Sequence, residues 1–180
     1  MRPEVDRVLI TADDIAARVK ELGEEISRDF RGTELLVVGI LKGSVVFVAD
    51  LIRHLKLPVH LDFVAVSSYG TSTTSSGVVR FLKDLDESIE GRNVLVVDDI
   101  IDTGLTLRYL LDNLSRRQPA ALKLCVLLDK PSRRKTEVPV HYRGFTIPDA
   151  FVVGYGLDCG GWYRNLPDIW VVKTATAVRA

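Results

Sequence analysis

The chain is poor in cysteine, in histidine clusters and in any excess of charge. Only Cys125 and Cys159 occur among 180 residues, so no disulfide framework holds the fold. No group of Cys and His has zinc spacing. Lys plus Arg total 24 and Asp plus Glu total 24, giving a formal net charge of zero. That balance removes the electrostatic footprint of non-specific nucleic-acid binding. No apolar run reaches the ~18 residues of a membrane span. Lys42, Asp50 and the acidic pair Asp98-Asp99 interrupt the longest ones. The stretch Met1 to Leu9 is charged and lacks the apolar core of a signal peptide. These absences point to a reducing, cytoplasmic setting without membrane or nucleic acid. What is present is globular: 47% apolar and 27% charged residues. A chain this long buries roughly 70% of its unfolded surface without staples. One domain over residues 1–180 is expected, with no internal repeat.

Periodicity divides the chain into alternating elements. Ile15, Val19, Leu22, Ile26 and Phe30 fall at helical spacing over 11–30, with Thr11 and Asp14 as a capping pair. Leu35 to Leu41 is a continuous apolar run, as in a strand covered on both faces. A helix follows over 44–56 and a strand over 59–66. The segment 67–77, SSYGTSTTSSG, has loop composition, and a loop this long in a compact domain is usually functional. Strands are expected over 78–82, 93–97, 121–128, 151–153 and 169–172, with a helix over 105–117. Lys130 to Lys135 reads as a basic turn, its Arg133, Arg134 and Lys135 as solvated surface rather than an oligomer interface. The tail 174–180 reads as frayed. Alternation of this kind gives an α/β fold: a mostly parallel twisted sheet flanked by helices. Ligands then bind beyond the carboxyl ends of the strands.

The segment VLVVDDIIDTGLT, Val94 to Thr106, carries the strongest chemistry. A buried strand delivers Asp98 and Asp99, Asp102 follows, and Thr103, Gly104 and Thr106 open a helix. Free N–H groups and a positive dipole end at a helix start make a phosphate cradle. No Walker lysine is present, so a triphosphatase loop is excluded. The bland alternative is a turn in which Thr103 or Asp102 caps the helix. A cap does not need three carboxylates within five positions, which repel unless a cation or polyhydroxyl ligand is shared.

This segment resembles the phosphoribosyl-diphosphate (PRPP) motif of the type I phosphoribosyltransferases. From about residue 8 to residue 172 the chain is similar to the bacterial hypoxanthine-guanine branch of that family. Supporting segments are Leu41-Lys42-Gly43, Ser68-Tyr69-Gly70, Leu82-Lys83-Asp84, Lys130-Pro131 and Phe151 to Tyr155, with Leu157-Asp158 and Arg164. The resemblance implies the family fold with a small hood formed by the chain termini, and a dimer or tetramer. It implies transfer of the phosphoribosyl group from PRPP to hypoxanthine or guanine, releasing pyrophosphate, with Mg2+. Asp102 takes the proton-acceptor position near the purine N7. Thr103, Gly104, Leu105 and Thr106 hold the 5′-phosphate. Lys42, Gly43 and Arg164 face pyrophosphate, and a non-proline cis peptide is expected in the 41–43 loop. Asp98 and Asp99 face the ribose hydroxyls directly or through magnesium, and Asp158 also binds the metal beside the purine. Lys130 reaches the purine O6, Phe151 stacks on the ring and Val152 offers main-chain groups. Ser68 and Tyr69 are the closing contacts of a lid over 67–77. Asp98 stands where many relatives have Glu, and Leu105 where some have Lys. Cys159-Gly160-Gly161 replaces bulkier residues and gives Cys159 no reactive role.

Two other classes compete. A PRPP-binding nucleic-acid regulator shares this fold, but zero net charge and the retained Lys130 and Asp102 weigh against it. A phospho-receiver domain needs an acidic pair after its first strand, and Val38 to Gly43 has none. A xanthine-preferring transferase is the remaining alternative within the family.

Overall fold

The computed structural model describes residues 4–68 and 79–173, with backbone alone for Ser68 and Val79. The proposed lid 67–77 and tail 174–180 therefore lie largely outside the described residues. Ser67 and Ser68 are strand instead of loop: they pair with Arg80 and Val79.

The chain runs β1 (Val5–Ile10), α1 (Ala12–Asp29), β2 (Leu35–Leu41), α2 (Val45–His54), β3 (Val59–Ser68), β4 (Val79–Lys83), β5 (Asn93–Ile101), α3 (Leu105–Ser115), β6 (Ala121–Asp129), a 3-10 turn (Pro131–Arg133), β7 (Tyr142–Thr146), β8 (Val152–Val153) and β9 (Ile169–Val172). Six strands form one sheet in the order β4-β3-β2-β5-β6-β7. All its pairs are parallel except β3 with β4. Strands β1, β9 and β8 form a separate antiparallel sheet, the hood expected from the two ends of the chain.

Period-2 alternation explains the layers. In β2, Leu35 and Val37 face one hydrophobic cluster while Leu36, Val38 and Ile40 face another. Leu95 and Val97 against Val94 and Val96 divide β5 in the same way. Helices α1 and α2 cover the first face through Ile15, Val19, Leu22, Ile26, Phe47 and Leu51. Helix α3 covers the second through Leu107, Leu110, Leu111 and Leu114. Each such side chain contributes about 1.5–3 kcal/mol when fully buried. A charge at Leu22, which is 0% exposed, would break the α1 layer. Helix α1 starts at the expected cap: Asp14 N donates to Thr11 Oγ1 at 3.2 Å.

Strand order reverses between β2 and β5. The chain leaves β2 toward β3 on one side and returns to β5 on the other. This switch point opens a crevice at the carboxyl ends of the two strands. Strands β1 and β7 were not anticipated. Expected strand ends also shift: β5 continues through the acidic pair to Ile101, and β6 includes Asp129.

Candidate active site

The carboxyl ends of β2 and β5 meet as closely as side chains allow. The peptide Leu41-Lys42 is cis, as expected for this loop. Lys42 is exposed, and Gly43 lies directly against the Asp99 carboxylate, with no room for a Cβ. The Gly43 carbonyl in turn fills the place a side chain would need at Gly156. Arg164 Nη1 donates to the Gly156 carbonyl at 2.6 Å, and its Nη2 pairs with Asp158 Oδ1 at 2.5 Å. Gly161 N also donates to Asp158 Oδ2 at 2.7 Å. Four sequence segments thus converge: 41–43, 98–99, 156–158 and Arg164.

Asp98 and Asp99 are partly buried neighbours in β5. Burial, followed by the Asp99 charge, pushes the Asp98 carboxyl well above the usual range. Burial raises Asp99 too, while the Arg164 charge is among the influences that lower it.

Helix α3 begins without a side-chain cap. Its N-cap is Gly104 at φ 82°, a left-handed conformation that glycine adopts without strain. Thr103 Oγ1 lies 3.5 Å from Leu105 N, too long for a firm cap. Asp102 caps nothing; Arg133 Nε donates to its Oδ1 at 3.1 Å. Gly104, rather than Thr103 or Asp102, is the N-cap, and beyond Leu105 the first-turn N–H groups have no side-chain partner among the described residues.

Lys130 directly follows β6, and its N–H donates to Ile101 O at 3.0 Å, beside Asp102. It is 6% exposed, so the surface-lysine reading fails. No ion pair or hydrogen bond reaches its ammonium among the described residues. The stem of Lys130 is packed while its ammonium keeps contact with solvent, open to a ligand acceptor. Phe151 is 43% exposed, large for an aromatic ring in a sheet flank. Val152 is buried in β8, the edge strand of the hood, whose outer side has no strand partner among the described elements. Cys159 is buried, and burial raises its thiol, consistent with an inert role.

A phosphoribosyl transferase domain model matches residues 10–159. The chain belongs to this family. It is 50% identical over 175 residues to the hypoxanthine-guanine phosphoribosyltransferase of Bacillus subtilis, covering 97% of each chain. A crystal structure of a hypoxanthine-guanine phosphoribosyltransferase from Bacillus anthracis is 53% identical, with TM-score 0.91 over 94% of this chain and 100% of that one. A hypoxanthine phosphoribosyltransferase structure from Staphylococcus aureus, 45% identical, gives TM-score 0.93 over 98% of this chain and 95% of that one. Both carry the type I transferase architecture found here, a mostly parallel sheet flanked by helices.

Within this phosphoribosyltransferase fold, three residues were missed. Arg133 and Arg134 were read as solvated surface. Arg133 is exposed as read but pairs with Asp102, whereas Arg134 is half-buried and its Nε donates to the Asp102 carbonyl at 3.1 Å. The third is Asp129, 3% exposed, which pairs with Arg134 and, at 2.7 Å, with Arg143 Nε. An acid ending a buried strand was the available signal, the same one that exposed Asp98.

The donor set fits a hard divalent cation. Among the described residues no three His, Cys, Asp or Glu side chains gather into a ready cage. Magnesium does not require one, because one or two carboxylates plus substrate phosphates hold it. Asp98 and Asp99, adjacent and mutually repelling, suit that arrangement, while Asp158 is already shared with Arg164.

Proposed function

We propose that the chain transfers the 5-phosphoribosyl group from PRPP to a 6-oxopurine, hypoxanthine or guanine, in purine salvage. The observation that carries this reading is Lys130, its stem packed and its ammonium without a protein partner among the described residues, beside the Asp102 loop. The first turn of α3, from Thr103 to Thr106, holds the 5′-phosphate through its open N–H groups. Asp98 and Asp99 face the ribose. Lys42, Gly43 and Arg164 face pyrophosphate. Phe151 stacks on the purine, Val152 offers main-chain groups to its edge, and the Lys130 ammonium donates to O6. In the reaction a purine nitrogen bonds to the anomeric carbon and the bond from that carbon to pyrophosphate breaks. Asp102 accepts the proton the purine loses. Asp98 and Asp99, with Asp158 if it shares its carboxylate with Arg164, would hold magnesium together with substrate oxygens, and the ion would offset charge on the leaving pyrophosphate. Ser68 and Tyr69 close over bound PRPP and exclude water. The free cysteines, both buried, suit a cytoplasmic setting.

A base panel of hypoxanthine, guanine, xanthine and adenine with PRPP and magnesium tests this. Turnover of hypoxanthine and guanine, poor turnover of adenine and loss of activity in excess chelator are expected. Adenine used as well as hypoxanthine overturns the pocket assignment. Full activity in chelator overturns the metal.

A further inference from the structure

The basic turn after β6 lies along the Asp102 loop as a clasp. Lys130 N donates to Ile101 O at 3.0 Å, Arg134 Nε to Asp102 O at 3.1 Å and Lys135 N to Thr103 O at 2.9 Å. Arg134 is itself anchored on buried Asp129. These contacts fix the backbone of the loop and leave the Asp102 side chain free to rotate. One contact fixes the side chain: Arg133 Nε donates to Oδ1 at 3.1 Å. The same guanidinium also has Nη1 at 3.6 Å from Asp149 Oδ2, on the segment leading to Phe151. Arg133 is thus stretched between the loop that carries Asp102 and the segment that carries the exposed ring.

We propose that Arg133 is a positioning residue for Asp102: it occupies Oδ1, steadied from behind by Asp149, and so presents Oδ2 to the purine. The inference rests on the reading of Asp102 as proton acceptor. A carboxylate that must take a proton from one ring atom gains by having one oxygen held and the other aimed. Arg suits the task because its planar fork engages two acids in fixed directions, which a lysine ammonium does not do. The pair is half exposed, with side-chain accessibilities of 49% for Arg133 and 40% for Asp102. Its effect is therefore that of a single surface ion pair, about 1.5-fold to fivefold in rate.

The test is a double-mutant cycle on the full chain with hypoxanthine, PRPP and magnesium. Arg133→Ala is expected to lower kcat about 1.5-fold to fivefold, with the KM for PRPP unchanged. Asp149→Asn should lower kcat by less, in the same direction. In an Asp102→Asn background, Arg133→Ala should change nothing further, because its route runs through Asp102. A merely structural role would lower turnover equally in both backgrounds, and that result overturns the proposal. Unchanged kcat in Arg133→Ala, with Asp102→Asn crippled, also overturns it and leaves the proton-acceptor reading standing. Near-normal turnover in Asp102→Asn removes that reading and the proposal with it. Thermal unfolding of each variant serves as the folding control, and an exposed pair should leave the melting point almost unmoved.

Discussion

Lys83 and Lys130 both end strands of the same sheet, and the fold treats them in opposite ways. Lys83 keeps a side-chain exposure of 38% and is saturated: its Nζ lies 3.1 Å from both Asp62 and Asp86 and donates to the carbonyls of Phe63 and Asp84. Lys130 is 6% exposed and has no partner among the described residues. The acids divide in the same way. Asp84 accepts two 2.8 Å bonds from Arg117, which hold its carboxyl below the usual range. Asp98 instead faces another carboxylate. At the β4 edge Lys83 is neutralised by Asp62 and Asp86, and Asp84 by Arg117. At the ends of β5 and β6 charges are left for something else to neutralise. Ion pairs alone do not mark the site; charges left without a protein counter-ion do.

The sharpest break in that comparison comes from Asp102→Asn, which keeps size and hydrogen bonding but removes basicity. Steady-state turnover should fall by about 10²–10⁴-fold, the usual worth of a general base, with thermal stability preserved. A folded variant with near-normal turnover would count against the site.

Next in size is Lys130→Met. An ammonium has donors only, so against the 6-amino group of adenine it meets a donor and finds no acceptor. Wild type should discriminate hypoxanthine from adenine by roughly a hundredfold or more, and the variant should lose most of that ratio. Lys83→Met is the matched control: its cost is in stability, and its hypoxanthine-to-adenine ratio should stay at the wild-type value. If both lysine variants move the ratio alike, the contrast between the two strand ends is wrong.

Asp129→Asn sharpens the comparison from the structural side. Asp129 is buried, yet Arg134 and Arg143 neutralise it, so it belongs with Asp84 rather than with Asp98. Removing its charge leaves Arg134, with a side-chain exposure of 18%, without its anion. A loss of about 2 kcal/mol is expected in denaturant unfolding, less than for a fully buried pair because Arg143 stays half exposed. Unchanged stability would show that the arginines find water instead.

How much of this was legible depends on whether a signal is local. The buried strand into Asp98-Asp99 and the helix start at Gly104 are written in consecutive residues, as is the alternation that gives the parallel sheet. The hood strand β1, VDRVLI, was not legible because Asp6 and Arg7 interrupt its apolar pattern; only pairing with β9 makes it a strand. β7, YRGFT, is too short and too polar to show period 2. Arg133 and Arg134 look like any solvated basic run. Their meaning lies in Asp102 and Asp129, which tertiary packing alone brings within reach. The burial of Lys130 was likewise hidden, since a lysine after a strand is exposed in most folds.

The smallest expected effect carries a sign that tests the comparison directly. Without ligand or metal, burial and the Asp99 charge hold the Asp98 carboxyl above its ordinary range. At low pH both the folded and the unfolded chain carry the proton, and the pair costs nothing. As pH rises, the unfolded chain releases that proton first, so the folded form binds more protons and loses stability. The loss continues until pH passes the raised folded value. Asp98→Asn removes this term. Its melting point should therefore exceed that of wild type by about 2–4 °C near pH 8, the shift that roughly 1 kcal/mol gives in a chain of this size. The two curves should converge below about pH 3, a unit under the ordinary Asp value, where the wild-type carboxyl is protonated in both states. Adding PRPP with magnesium should reverse the order, because the ligand stabilises the protein that binds it better. Circular-dichroism melts across that range decide the matter. A variant less stable than wild type at pH 8 without ligand would place Asp98 among the satisfied structural charges, beside Asp84.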